Sequence, residues 1–195
     1  VTETNFANVT YVLRNDTAQV NSTTYTTLIR TINWTNLANS NYTYNVSIYD
    51  NAGNFNSTAA RRINLDSGAP TIDFINPTEN SGLARARNYI EINVSASDSL
   101  LDRTTIKLYN SSHSLINSNI SNVGATSFYI NYSSLSDGIY YYNASANDTA
   151  GNNANLETRN ITLDNAVPGV TINLPAYSGI NLSVSSAGLN VTLNE

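Results

Sequence analysis

The sequence contains no cysteine and no methionine. Disulfides, thiol nucleophiles, cysteine-based zinc sites and iron–sulfur clusters are therefore excluded. One histidine, His113, leaves room for at most one histidine-based triad and none for a histidine-rich metal site. Lysine occurs once, at Lys107, and charged residues make up only 12% of the chain. With a net charge of −5 there is no basic stripe to neutralise phosphates, which argues against nucleic acid as a partner. Arg61, Arg62, Arg85 and Arg87 read as solvated edge or loop charges. No apolar run in these residues approaches the roughly 18 needed to span a membrane, and none reads as a signal peptide.

In place of charge the chain carries small polar residues: 33 Asn, 22 Thr and 23 Ser in 195 residues. Such a composition can mean disorder. Here, however, tyrosine, isoleucine and valine recur in strict alternation, which is the pattern of short, half-buried strands. No segment keeps a helical period over three turns, so the expected class is all-β.

A repeat of about 98 residues runs through the chain. Asn41-Tyr42-Thr43-Tyr44-Asn45 matches Ile139-Tyr140-Tyr141-Tyr142-Asn143, and Asp50-Asn51-Ala52-Gly53-Asn54 matches Asp148-Thr149-Ala150-Gly151-Asn152. Ile63-Asn64-Leu65-Asp66 matches Ile161-Thr162-Leu163-Asp164, Ile32-Asn33-Trp34 matches Ile130-Asn131-Tyr132, and Pro70 and Pro77 match Pro168 and Pro175, all in one register. In the complete unit the alternation predicts strands near 71–75, 89–96, 104–109, 114–120, 127–132, 139–147 and 158–163. Its core residues are expected to be Ile92, Val94, Ile106, Phe128, Ile130, Tyr142 and Ala144. Short strands with turn residues between them indicate antiparallel β-sandwiches.

The run Tyr-x-Tyr, five residues, Asp-x-Ala-Gly-Asn, a strand ending in Asp and a short linker ending in Pro resembles the tandem immunoglobulin-like, or fibronectin type III-like, repeats of bacterial and archaeal surface proteins. The resemblance covers the whole chain. It implies that Tyr42 and Tyr140 are corner tyrosines, that 50–54 and 148–152 form the turn between the last two strands, and that 66–70 and 164–168 are linkers. Such modules act as stalks, spacers or adhesive arrays. One departure is that antibody-type domains pair a buried Trp with a disulfide. This chain has no cysteine, and its single Trp, Trp34, falls on the expected fifth strand.

The linkers divide the chain into 1–66, the later part of an immunoglobulin-like domain without its first two strands; 70–164, a complete domain; and 168–195, the first two strands of a further one. The unfinished parts are complementary, with Ile32, Trp34, Tyr42, Tyr44, Val46 and Ile48 inward in the first and Val170, Ile172, Leu174, Leu189, Val191 and Leu193 apolar in the last. Either the chain is a window on a longer array, the simpler reading, or neighbouring subunits complete one another by strand donation. Both give a linear, head-to-tail structure whose partners are copies of itself or further repeats.

The sequon Asn-x-Ser/Thr occurs 16 times: at Asn8, Asn15, Asn21, Asn33, Asn41, Asn45, Asn56, Asn93, Asn110, Asn119, Asn131, Asn143, Asn147, Asn160, Asn181 and Asn190. Random placement gives about 8. Strand alternation would enrich the reverse order Ser/Thr-x-Asn equally, yet that occurs only 7 times. The excess thus follows the order that glycan transfer requires, and heavy N-glycosylation is expected. Five pairs recur at matching repeat positions: Asn15/Asn110, Asn21/Asn119, Asn33/Asn131, Asn45/Asn143 and Asn93/Asn190.

Other chemistry finds little support. Asp98 and Asp102 could approach Asp66 or Asp164 at a junction and offer oxygen ligands to calcium. The first copy has only Glu3 near the Asp98 position, so turn and cap roles are expected instead. Asp50 and Asp148 are expected to fix their tight turns. A Lys–Asn crosslink would need Lys107 in the core, and its repeat counterpart is Val12. His113 reads as a solvated loop residue, and Tyr49 and Tyr141 as outward-facing. No catalytic, cofactor-binding or metal-binding residue is expected, and no enzyme. The reading is a structural, extracellular, glycosylated surface filament, stalk or adhesin. The alternative is a carbohydrate-binding or spacer module of a secreted enzyme.

Overall fold

Alternation of apolar and polar residues sets both the strands and their inward faces. The computed structural model describes residues 5–174, 179 and 188–194. Its elements are β1 (Phe6–Asn15), β2 (Gln19–Tyr25), β3 (Ser40–Asp50), β4 (Phe55–Ser57), β5 (Arg61–Leu65), β6 (Thr71–Ile75), β7 (Leu83–Arg85), β8 (Ile90–Ser97), β9 (Leu101–Tyr109), β10 (Leu115–Ile120), β11 (Ser127–Tyr132), β12 (Gly138–Asp148), β13 (Asn153–Asn155), β14 (Arg159–Leu163), β15 (Gly169–Leu174) and β16 (Asn190–Asn194). Among the described residues every regular element is a strand. Two units result: Val1–Ala69 with Asp148–Asn152, and Pro70–Asn147 with Asn153–Glu195.

The second unit contains a sandwich. One sheet has the order β10-β9-β12-β14-β7, with β13 also on β12; the other has the order β11-β8-β6. Ile90, Ile92, Val94 and Ala96 alternate inward along β8, as do Tyr142, Ala144 and Ala146 along β12. Ile106 and Leu108 of β9 and Ile161 and Leu163 of β14 complete the buried cluster between the sheets. Phe128 and Ile130, expected in the core, pack against this cluster but stay half-buried. The reason is position, because β11 is the outer strand of the three-stranded sheet.

β7 is absent from the expected strand set. It pairs parallel with β14, Ile161 opposite Leu83 and Leu163 opposite Arg85, so the chain leaves one sheet after β6 and joins the other. Glu79 anchors this crossing. Its carbonyl accepts bonds from the Tyr142 hydroxyl at 2.7 Å and from Arg159 Nη1 at 3.1 Å. Its carboxylate takes a two-pronged contact from Arg85 at 2.7 and 2.8 Å and lies 3.2 Å from Arg87 Nη2. The reading of Arg85 and Arg87 as solvated charges is therefore corrected. The Arg87 side chain is only 19% exposed and lies over the Tyr89 ring at 4.6 Å. Arg61 and Arg62 are exposed, as expected.

The Arg85 hydrogen bond holds the Glu79 carboxyl below its ordinary value of 4.5. The ionised form is thus favoured by folding, and its stabilisation is present above the unfolded value and lost as the pH falls through the folded one. Glu79→Gln should destabilise the second unit by about 1–2 kcal/mol at neutral pH, since it leaves Arg87 covered and unpaired. It should also flatten the loss of stability below about pH 4.5. Denaturant midpoints measured from neutral pH downward check both, and parallel pH curves for the two proteins would refute the assignment.

The first unit repeats one sheet of that sandwich. Its order is β2-β1-β3-β4, with β5 also on β3. The ladder from Ser40–Leu65 to Tyr44–Arg61 recurs 98 positions on as Gly138–Leu163 to Tyr142–Arg159. The corner tyrosines recur too, with Tyr42 donating to Ala38 O at 2.9 Å and Tyr140 to Ser136 O at 3.0 Å. Each hydroxyl ties the start of its strand to the preceding turn. No sheet equivalent to β11-β8-β6 is found in the first unit among the described residues. Residues 28–39, whose counterparts include β11, form no strand. Trp34 is therefore not on a strand, because β11 owes its ladder to β8 and among the described residues no such neighbour pairs with residues 28–39.

Candidate functional site

The turns singled out in the sequence are structural. Asp50 Oδ1 accepts from Ala52 N at 2.9 Å and Asn54 N at 2.8 Å, and its Oδ2 from Asn54 Nδ2 at 2.7 Å. Asp148 is bonded in the same way by Asn152 N and Nδ2, each at 2.8 Å. Gly53 and Gly151 close these turns at φ of +86° and +96°, where a Cβ would be strained. The Asn54 donors hold the Asp50 carboxyl below its ordinary value of 3.8.

The acids weighed for calcium each serve a local turn or side-chain contact. Asp66 Oδ1 accepts from Gly68 N at 2.9 Å, Asp98 Oδ1 from Leu100 N at 2.7 Å, and Asp164 Oδ1 from Ala166 N at 2.9 Å. Asp102 Oδ2 accepts from Asn147 Nδ2 at 3.2 Å. Glu3 lies outside the described residues. His113 is exposed, at φ +57°, with its ring 4.1 Å from that of Tyr141. Lys107 sits between the buried Ile106 and Leu108 on the opposite face of β9 and is half-buried.

Every described sequon asparagine is exposed or half-buried. Asn8 and Asn15 lie on β1, Asn21 on β2, Asn41 and Asn45 on β3, Asn56 on β4 and Asn93 on β8. Asn119 lies on β10, Asn131 on β11, Asn143 and Asn147 on β12, Asn160 on β14 and Asn190 on β16, with Asn33 and Asn110 in connections. Asn181 is outside the described residues. In two sequons the downstream hydroxyl already reaches the amide. Thr17 Oγ1 donates to Asn15 Oδ1 at 2.9 Å and Thr23 Oγ1 to Asn21 Oδ1 at 2.7 Å. Elsewhere the amide nitrogen is engaged: Asn93 Nδ2 donates to Asn76 O at 2.9 Å and Asn147 Nδ2 to Asp102. A glycan at either position would have to displace or share that bond.

The apolar surface is unevenly covered. Tyr44, Val46 and Ile48 of β3 are half-buried, whereas their counterparts Tyr142, Ala144 and Ala146 are buried. Ile63 is 46% exposed and its counterpart Ile161 is 0% exposed. A cavity of about 260 Å³ opens here, lined by Leu13, Ile32, Trp34, Tyr44, Ile63 and Leu65 among others. The Trp34 Nε1 atom is buried with no hydrogen-bond partner, whereas the hydroxyl of its counterpart Tyr132 donates to Asn119 Oδ1 at 2.8 Å. A second apolar surface lies on the hairpin of β15 and β16, where Val170, Ile172, Leu189, Val191 and Leu193 are exposed. The sequence shows the apolar positions of both surfaces, and the structure adds that they are uncovered.

Residues 4–67 match the family described as the bacterial Ig-like domain, and residues 86–154 match the secretion system C-terminal sorting domain. No curated protein matches the chain. Among solved structures it is similar to an engineered protein, at 16% identity and a TM-score of 0.38, over 49% of this chain and 20% of that one. It is also similar to the fibronectin(III)-like modules of CbhA from Clostridium thermocellum, at 16% identity and a TM-score of 0.41, over 84% of this chain and 80% of that one. Dimeric latent PorU from Porphyromonas gingivalis is similar at 14% identity and a TM-score of 0.38, over 84% of this chain and 16% of that one. Each match covers about a third of the chain: the first agrees with an immunoglobulin-like module, and the second is to a sorting domain of a secretion system.

Proposed function

We propose that the chain is a non-catalytic, structural part of an exported stalk, filament or adhesin, built of immunoglobulin-like modules joined head to tail and carrying N-linked glycans on its outward strand faces. The observation that carries this reading is the recurrence of one ladder, one corner tyrosine and one aspartate turn in both copies of the 98-residue repeat. Repetition of a module serves length and spacing, whereas a reaction needs one convergent set of groups. The glycans would cover polar faces and blunt sheet edges that lack disulfide protection.

Glycopeptide analysis of native material should find sugar at several of the five repeated sequon pairs. Occupancy should be highest at exposed Asn21, Asn33 and Asn131 and lowest at Asn41, Asn93, Asn143 and Asn147, whose amide nitrogens are engaged. Electron microscopy of the same material should show beaded rods. Unmodified asparagine throughout would remove the glycan half of the proposal, and isolated compact particles would remove the other. The second reading, a carbohydrate-binding or spacer module of a secreted enzyme, draws on the exposed pair Tyr49 and Phe55, whose rings lie 4.9 Å apart. A catalytic domain in the same polypeptide would favour it.

A further inference from the structure

We propose that β10 is a pairing edge at which two copies of this chain join side by side, strand against strand, about a two-fold axis through Ser118. The contact is lateral and does not depend on the head-to-tail reading above.

β10 is an outer strand of the complete sandwich, in the order β10-β9-β12-β14-β7. An outer strand offers unpaired backbone groups, and proteins commonly protect it with charge or proline. Two other edges of this sandwich carry a charge, Arg85 on β7 and Asp73 on β6. β10 reads Leu-Ile-Asn-Ser-Asn-Ile and has neither charge nor proline. Its Leu115, Ile116 and Ile120 are 55%, 46% and 56% exposed. Its pairing with β9 shifts at Ile116 and is regular from Asn117 to Ile120.

The sequence of the strand identifies the occupant. Ile116-Asn117-Ser118-Asn119-Ile120 reads the same in both directions. Two antiparallel copies centred on Ser118 therefore set Ile116 opposite Ile120, Asn117 opposite Asn119 and Ser118 opposite Ser118. Apolar side chains meet apolar ones and amides meet amides, and such cross-strand pairs are what stabilise a sheet.

The backbone fits the same register. Ser121 N donates to Thr104 O at 2.9 Å, so Asn117 and Asn119, two and four positions back, also turn their backbone groups towards β9. By alternation Ser118 and Ile120 turn theirs to the open side. The two Ser118 residues can then exchange both their bonds across the axis. The side chains agree with this. Ser118 lies opposite Lys107 and Ile120 opposite Thr105, on the face away from the core, whereas Asn119 lies opposite the buried Ile106. The two Lys107 backbones would stand three strand spacings apart, about 14 Å. That exceeds the roughly 8 Å over which exposed charges act at physiological salt.

Asn119 Oδ1 accepts the Tyr132 hydroxyl at 2.8 Å. A sugar on Asn119 would crowd Asn117 of the second copy, so glycan and pair exclude each other at this edge. The contact joins a surface to itself and therefore closes at two copies. One short strand buries little area, so a single contact is weak. Between neighbouring rods of such modules, repeated contacts of this kind would add up.

The test is sedimentation velocity of the 195-residue chain, made in a host that adds no N-glycans, over a series reaching millimolar concentration. A reversible equilibrium between monomer and dimer is expected. Ser118→Pro removes an N–H on the open side and spares the ladder to β9, so it should abolish the dimer. Ile120→Lys changes an exposed side chain and should weaken the dimer by more than about tenfold. Adding Ile116→Glu to Ile120→Lys should restore it, because in this register the introduced acid of each copy faces the introduced base of the other. Denaturant midpoints establish that each variant is folded. A chain that stays monomeric throughout the series would overturn the proposal. So would association that Ser118→Pro and Ile120→Lys leave intact, or a double variant no tighter than Ile120→Lys alone.

Discussion

Ile161→Ala is expected to destabilise the second unit by roughly 3–4 kcal/mol, and Ile63→Ala, one repeat earlier, to destabilise the first by less than about 1 kcal/mol. The two residues occupy the same place in the ladder, opposite Tyr140 and Tyr42, and each is followed two and three positions on by Leu and Asp. Only their cover differs. Ile161 is fully enclosed between two sheets, so alanine loses its transfer energy and leaves a cavity that a close-packed core cannot refill. Ile63 is 46% exposed, and its truncation leaves a space that opens to water. Denaturant unfolding at low protein concentration measures both. Two units need not unfold together, so Trp34 fluorescence should follow the first and far-ultraviolet circular dichroism the sum. Equal costs at the two positions would mean that the first unit is covered in solution.

The same contrast shows what the sequence makes legible. Period-two alternation places Ile92, Val94, Ile106, Tyr142 and Ala144 in the core, where the structure has them. Tyr42, Tyr140 and the Asp-x-Ala-Gly-Asn turns are also readable, because each depends on bonds within a few residues of itself. Features that depend on a distant neighbour are harder to read. Phe128 has an inward-facing pattern but lies on an outer strand, and sequence period does not reveal strand order. Residues 28–34 resemble β11 in pattern yet form no strand, since a ladder needs a partner. The Glu79 cluster joins residues 6 to 80 positions apart, and isolated arginines in a polar chain give no sign of it.

For the candidate surface the legible part was composition, and the illegible part was cover. The sequons announce themselves by direction and number, and the structure finds none of the described ones buried. The complementary faces were visible as apolar alternation in residues 32–48 and 170–193. The structure adds the register of the last pair, with Val170 opposite Leu193 and Ile172 opposite Val191. A repeat protein distributes its stability among units and the interfaces between neighbours.

Raising the pH should produce the other large effect. Burial pushes the Tyr132 and Tyr142 hydroxyls up to about 12 from an ordinary 10. Both rings are buried, and each hydroxyl donates a bond, Tyr132 to Asn119 Oδ1 and Tyr142 to Glu79 O. The folded state therefore holds two protons that the unfolded chain releases near pH 10. Their stabilisation is complete below the unfolded value and is lost as the pH climbs toward the folded one. Each shift is worth about 2 kcal/mol, so the second unit should lose roughly 3–4 kcal/mol between about pH 9.5 and 12. Tyr142→Phe keeps the edge contact with Phe74, whose ring lies 5.8 Å away, but removes one of the two protons. That variant should cost about 1 kcal/mol at neutral pH and should show about half the alkaline loss. Denaturant midpoints across this range, with phenolate absorbance followed in the same samples, supply the check. If all 13 tyrosines ionised together near pH 10 while the fold persisted, the two buried hydroxyls could not be the anchors described.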